Sequence, residues 1–308
     1  MKTVVIGINN KGVDNIHYLP PSFYHGKTRY VIHQNPVIEQ DGDVVEANCD
    51  WYFDFSSKVN KRAQLLMGEY YIPFTREAKS LQMTRLLMAD QQIMETPTLY
   101  HTEGRGHFAM GVSEFGHPLK GKVVVKRENG ARGCDQAVVP THQLDNFLRV
   151  CCDESMDSLK ERFPDVVFTD RYPDSASGPF THDKILITEY VEGITAEYRL
   201  LVGGHQRLAL ERGIQEKEYR QANLDLNTPL SGAPAELLDY KDLFTTTEVE
   251  QIEALIELFD IRLGSVDLYR TKTGDLGFFE WSPQFGTRGY CHEQMRNFHM
   301  NFVIDTLK

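Results

Sequence analysis

A chain of 308 residues with 41% hydrophobic and 25% charged residues has ordinary globular composition, long enough for two or three compact lobes. Its 44 acids against 33 lysines and arginines give a net charge of −11, which excludes a protein whose main surface coats the phosphates of extended nucleic acid. No run approaches the ~20 consecutive apolar residues of a membrane helix, and the start leads straight into VVIGI without a signal-peptide layout, so the expectation is a soluble cytoplasmic chain with no membrane partner.

In chain order, VVIGI predicts a buried strand, followed by short strands at Tyr30 to Ile32, Val37 to Ile38 and Val44 to Val45. The first stretch, to about residue 74, thus reads as a small α/β or mostly β lobe. Its first turn, Gly7 to Gly12, lacks GxGxxG spacing, which argues against a dinucleotide site there. Thr75 is a good N-cap for a helix running through Leu81, Leu86, Leu87 and Met94 to the stop at Thr96 and Pro97, and a strand follows at Thr98 to Tyr100. Lys122 to Lys126 is a valine strand with a lysine at each end. NGARG at 129–133 separates it from a strand at Ala137 to Val139.

Residues 142–163 predict two short helices, and 170–183 a loop rich in proline, serine and glycine. Strands follow at Lys184 to Val191, Glu197 to Val202 and Arg207 to Leu210, the last two joined as a hairpin by Gly203 and Gly204. Thr247 and Glu250 form a capping box for a helix whose apolar stripe is Val249, Ile252, Leu255, Ile256 and Phe259. Strands at Gly264 to Tyr269 and Leu276 to Trp281 flank a turn at Lys272 to Gly274. The order is that of an α+β protein with at least two sheets, not of a doubly wound one.

Five cysteines (Cys49, Cys134, Cys151, Cys152, Cys291) form no CxxC pair and read as reduced structural thiols. His292 and His299, seven apart, read as one face of a terminal helix and not as a metal site. Charge is unevenly spread. From Glu197 to Asn223, Arg199, Arg207, Arg212, Lys217 and Arg220 outnumber the acids for a balance of +1, whereas 224–262 carries −7, read as a solvated helix face. Arginines alternating along a hairpin are expected to share one face and converge on an anion.

Asp267 and Glu280 stand isolated within apolar strands, where an acid is costly to bury without a cation. Across the hairpin they could lie side by side, and carboxylates so paired suit magnesium that shares its other positions with nucleotide phosphates. Taken alone, they read more simply as salt-bridged or edge-exposed acids. Lys126 adds to the signal, because it ends its strand just before a glycine-bracketed loop whose N–H groups could close over phosphate.

With these pieces together, residues 75 to 290 resemble the ATP-grasp superfamily, and within it the RimK-type glutamate ligases and glutathione synthetases. The resemblance is carried by VVVKRENGARG at 123–133, ILITEYVEGITAEYR at 185–199, the run from Glu211 to Asn223 that ends EYRQAN, and GSVDLY with GFFEWSP between Gly264 and Pro283. It implies two α+β subdomains gripping ATP after a small lobe: 1–74 as an N-terminal substrate lobe, and 75–308 as the ATP-grasp domain. Within that domain it implies a lid subdomain at about 98–190 and a metal and phosphate subdomain at about 191–308.

The resemblance also implies roles. Lys79 and Lys126 would contact phosphates, Lys126 beneath the loop carrying Gly130, Arg132 and Gly133. Glu189 and the backbone of Tyr190 and Val191 would receive adenine, and Glu197 the ribose hydroxyls. Arg212 and Arg220 would meet phosphate or an acyl phosphate, with Arg199 and Asn223 nearby. Asp267 and Glu280 would hold magnesium, as two ions. One departure stands out: relatives read E-x-N at the second metal position, whereas Glu280 here is followed by Trp281 and Ser282, so Ser282 or Gln284 would replace the asparagine oxygen. Arg288 reads equally as a holder of the acceptor carboxylate or as a surface arginine.

The implied reaction is ATP-dependent carboxylate–amine ligation through an acyl phosphate, releasing ADP and phosphate, on an amino acid, a peptide or a protein tail. An ATP-grasp kinase acting on a hydroxyl and an inactive ATP-binding module are the alternatives.

Overall fold

The computed structural model describes residues 2–8, 22–34, 49–57, 64–65, 67–75, 77–89, 93–95, 99–101, 121–127, 136–168, 185–212, 237–283 and 293–307. Among them are three five-stranded sheets.

The first sheet contains β1 (Lys2–Ile8), β2 (Ser22–His25), β3 (Thr28–Gln34), β4 (Trp51–Ser57) and β5 (Tyr71–Thr75), in the order β2-β3-β1-β4-β5. β1 runs parallel to both β3 and β4, and β4 runs parallel to β5. That explains the unbroken VVI run, since a central parallel strand is covered on both faces. Val4 and Ile6 pack with Phe53 on one face, and Val5 packs with Tyr52 and Tyr71 on the other. The expected strands at Val37 to Ile38 and Val44 to Val45 lie outside the described residues. Strands β2, β4 and β5 were not evident in the sequence.

Helix α1 spans Lys79–Leu87, with Ala78 as its N-cap and no side-chain cap. The helix expected from Thr75 to Met94 is therefore shorter at both ends. Thr75 pairs with Ser57 as the end of β5, so strand pairing takes the residue that reads as a cap. Met88 closes the helix, although Met94 is still buried in the core.

The second sheet orders β6 (Leu99–His101), β7 (Lys122–Arg127), β8 (Gln136–Pro140), β9 (Val167–Phe168) and β10 (Ile185–Glu189) as β6-β10-β7-β8-β9, all antiparallel. Helices α2 (Leu144–Val150) and α3 (Met156–Arg162) cover one face, packing Leu144, Phe147 and Leu159 on Val123, Val125, Val139 and Ile187. Lys126 sits on the opposite face, yet it is only 3% exposed. The β7 valines are thus covered on both sides.

The third sheet orders β11 (Ile194–Gly203), β12 (Gln206–Arg212), β13 (Leu238–Asp239), β14 (Leu263–Thr271) and β15 (Leu276–Ser282) as β13-β12-β11-β14-β15. Helix α4 (Thr246–Leu258) buries Ile252, Leu255 and Ile256 against Leu200, Val202, Val266, Leu268 and Phe278 on one face. Its capping box is Thr245 with Glu248, not Thr247 with Glu250. Both threonines stand three residues before an acid, but Glu248 both accepts the Thr245 N–H at 2.8 Å and pairs with Arg270. The helix ends in a Schellman arrangement, Ile261 N–H donating to Ile256 O and Asp260 N–H to Glu257 O, which leaves Asp260 left-handed with φ 48°.

The other face of this sheet changes character along its length. Leu201 and Leu263 pack at one end with Phe298, Phe302 and Val303 of helix α5 (Glu293–Thr306) and with Val4 and Ile6 of the first sheet. Gly203 is needed there, because a Cβ would stand 2.7 Å from the Phe298 ring. Toward the opposite end the same face carries charge. His292 and the His299 side chain lie outside the described residues, as do Cys134 and Cys291. Among the described residues Cys49, Cys151 and Cys152 form no disulfide, and the Cys152 hydrogen bond together with burial pushes the Cys151 thiol far above its usual range.

Candidate active site

Directly opposed residues of an antiparallel ladder share a face with Cβ atoms about 5 Å apart. On the charged face, Glu197 opposes Arg212 and Tyr269, Arg199 opposes Asp267, and Asp267 opposes Glu280. The last pairing depends on a defect in the ladder. Tyr269 opposes Gly277 and Leu268 opposes Phe278, so a regular continuation would set Asp267 against Phe279 and turn Glu280 toward the core face. A bulge between Asp267 and Leu268 absorbs one extra residue and brings Glu280 to the Asp267 face. The Tyr269 ring then lies over Gly277, where a Cβ would meet it at 2.1 Å, and contacts the Phe279 ring at 4.5 Å between centroids.

Two adjacent carboxylates repel unless cations separate them. Arg199 binds Asp267 as a fork, Nε to Oδ1 at 2.8 Å and Nη2 to Oδ2 at 2.9 Å. Lys79, reaching in from α1 and 3% exposed, places Nζ 2.8 Å from Glu280 Oε2. Burial opposes the Arg199 charge, but Asp267, through its charge and hydrogen bonds, together with Glu280 and Glu197, more than offsets this and raises the guanidinium above its usual range. Two cations and two carboxylates thus interlock.

The expectation that the hairpin arginines converge holds only in part. Arg207 opposes Val202 and so lies on the α4 face, where it forks onto Glu253 at 3.0 and 3.1 Å. Arg199 and Arg212 share the charged face, although nothing is described of the Arg212 side chain. The acidic stretch is likewise less solvated than expected, because Glu248 and Glu253 are both tied to arginines.

Lys126 opposes Gln136 on β8 and Leu186 on β10. Glu189 ends β10, and the Tyr190 N–H donates to Lys122 O at 3.3 Å, so it already belongs to the ladder. Burial lifts the Tyr269 hydroxyl above its ordinary range and the Glu95 and Glu189 charges add to this, which links Glu189 of the second sheet electrostatically to the charged face of the third. Gly130, Arg132, Gly133, Arg220, Asn223, Gln284 and Arg288 lie outside the described residues.

Asp267 and Glu280 offer hard oxygens, and Ser282, two residues beyond Glu280, opposes Ser265 on the same face. This donor set fits magnesium, which takes one or two carboxylates and completes its shell with water and phosphate. Among the described residues no group of three or more His, Cys, Asp and Glu gathers to hold a metal by itself. Two residues of this region were not evident in the sequence: Tyr269, on the charged face beside Glu197, and Gln82, on the buried side of α1. A polar residue one turn after Lys79 on the apolar side of a helix was the signal for the second.

No family profile matches the chain, and no curated protein matches it in sequence. Solved structures do. The D-cycloserine synthetase DcsG matches with a TM-score of 0.59 at 13% identity, over 99% of this chain and 100% of that one. The ATP-grasp ligase PsnB, complexed with minimal precursor, Mg and ADP, matches with a TM-score of 0.53 at 11% identity, over 99% and 97%. An L-amino acid ligase from Bacillus licheniformis matches with a TM-score of 0.53 at 14% identity, over 100% of this chain and 74% of that one. The chain has the ATP-grasp fold, an α+β architecture. No described helix is long and apolar enough to cross a membrane.

Proposed function

We propose that this chain is an ATP-dependent carboxylate–amine ligase. The observation that carries the reading is the Asp267 and Glu280 pair, interlocked with Arg199 and Lys79 on one sheet face of an ATP-grasp fold. In the proposed reaction a substrate carboxylate oxygen attacks the γ-phosphorus of ATP, the bond to the β–γ bridging oxygen breaks, and ADP leaves. The amine nitrogen then attacks the acyl carbon, phosphate departs with the C–O bond, and the amine loses a proton to give an amide.

The lobes are assigned as substrate lobe 1–74, lid about 98–190, and metal and phosphate region about 191–308. Lys79 and Lys126 hold phosphate oxygens, beneath the loop of Gly130, Arg132 and Gly133. Arg212 and Arg220 offset charge on the transferred group, with Arg199 paired to Asp267. Glu197 receives the ribose hydroxyls. At the hinge the Tyr190 N–H is engaged by Lys122, so pairing with the adenine edge falls to the Tyr190 carbonyl and to Val191, next to Glu189. Asp267 and Glu280, with Ser282 or Gln284, would hold the magnesium ions, which when bound supply Lewis-acid neutralisation of phosphate charge. Asn223 and Arg288 are assigned to the substrates.

PsnB was solved with a precursor and the Bacillus licheniformis protein is named for amino acids, which favours an amino acid, a peptide or a protein tail as the acceptor class. Incubation of the purified chain with ATP, magnesium and pools of amino acids and peptides should release ADP and phosphate together with an amide product seen by mass spectrometry. A stable phosphoester would replace the ligase with a kinase. ATP binding without turnover on any pair would leave a binding module.

A further inference from the structure

Resting on the ligase reading, we propose that Gln82 is a positioning residue that fixes α1 against the backbone of Trp281 and thereby sets Lys79 opposite Glu280. Gln82 is 0% exposed and lies one turn along α1 from Lys79. Its Oε1 accepts the Trp281 N–H at 2.8 Å, while its Nε2 donates to Trp281 O at 3.0 Å and to Glu77 O at 2.9 Å. Both amide protons are used, so the group has a single orientation. Flipped, it would set its NH2 against an N–H and its oxygen against two carbonyls.

β15 is the edge strand of its sheet, and an edge residue exposes the N–H and C=O that a further strand would bind. Gln82 bonds both groups of Trp281 and so takes that strand's place at the residue adjoining Glu280. Lys79 reaches the Glu280 carboxylate at 2.8 Å from the same helix. The candidate phosphate lysine and the candidate metal carboxylate are therefore aligned through one buried amide.

Gln82 is not the sole anchor of α1. Arg85 donates to Leu258 O at 2.6 Å, its guanidinium lies 5.1 Å from the Phe259 ring centroid, and Leu86 is part of the main core. Loss of Gln82 leaves the helix attached and releases its register against β15.

The test is calorimetric titration of a non-hydrolysable ATP analogue into the full chain, with and without magnesium. The expected result for Gln82→Met, which keeps the volume and removes all three bonds, is a fall of about tenfold in the affinity gained from magnesium, with magnesium-free binding changed less than about twofold. In a Lys79→Met background the same substitution should cost nothing further, because the amide acts through the lysine. Gln82→Glu keeps the acceptor for Trp281 N–H and should fall in between. A wild-type magnesium gain in folded Gln82→Met, or an equal loss in the Lys79→Met background, overturns the proposal. If Gln82→Met is unfolded by circular dichroism, a wild-type gain in folded Gln82→Glu overturns it instead. Wild-type protein that does not bind the analogue removes the ligase reading and this inference together, whereas unaffected variants beside a binding wild type remove only the inference.

Discussion

The two faces of the β11–β14–β15 sheet carry similar ion pairs built to different plans. On the α4 face, Arg270 pairs with Glu248, itself part of the helix capping box, and Arg207 pairs with Glu253, to which Tyr240 also donates at 3.0 Å. Each acid there is fastened to groups that hold the helix on the sheet. On the opposite face two acids are placed next to each other by a bulge, and each takes its own cation. Packing gains nothing from that adjacency, since well-packed apolar residues would serve stability as well or better. Ion pairs that serve the fold are kept apart, whereas carboxylates brought together point to chemistry.

The sharpest way to break this comparison is to remove, one at a time, the two charges of the bulged face. Asp267→Asn and Glu280→Gln should lower ATP consumption by about a thousandfold. Steady-state assays check this, and a loss of less than about tenfold would place the acids outside the chemistry. Next, Leu255→Ala on α4, at a fully buried position, should destabilise by about 2–5 kcal/mol in urea unfolding. Analogue affinity of the folded fraction should not change.

Glu248→Gln tests the α4-face pair through pH. Burial works against the Glu248 charge, but hydrogen bonds from Arg270 and Thr245 prevail and hold its carboxyl below the ordinary glutamate range. A depressed folded value means that the stabilisation is complete above the unfolded pKa and is lost as pH falls through the folded one. The gap of about 1 kcal/mol expected between wild type and Glu248→Gln at neutral pH should therefore close on acidification below about 4.5. Unfolding midpoints across pH measure it, with activity at pH 7 unchanged. The smallest effect has the opposite sign: Asp260→Gly relieves a left-handed residue at the end of α4 and should stabilise by about 0.5–1 kcal/mol, read as a higher melting temperature.

Much of this plan was legible because burial leaves periodic marks. The three β7 valines, the α4 stripe and the strands around Asp267 and Glu280 all lie where apolar spacing set them. What was hidden depends on register. Arg199 and Arg207 alternate in sequence, yet the two-residue turn at Gly204 and His205 sends them to opposite faces. The side-by-side acids were expected from the hairpin, but only a bulge invisible in the sequence makes the pairing real. Thr75 and Thr247 carry cap chemistry that strand pairing and a neighbouring threonine overrule. For Gln82 the sequence offered only a polar residue one turn after Lys79, and its role stayed hidden because its partner Trp281 lies 199 residues away.

The most direct test of the central claim is titration of the ATP analogue into wild-type and Asp267→Asn protein, each with and without magnesium. The account predicts that magnesium tightens binding to the wild type by at least about tenfold and that Asp267→Asn abolishes this gain while its circular dichroism stays native. Equal affinity in all four titrations, or no binding by the wild type, would contradict it.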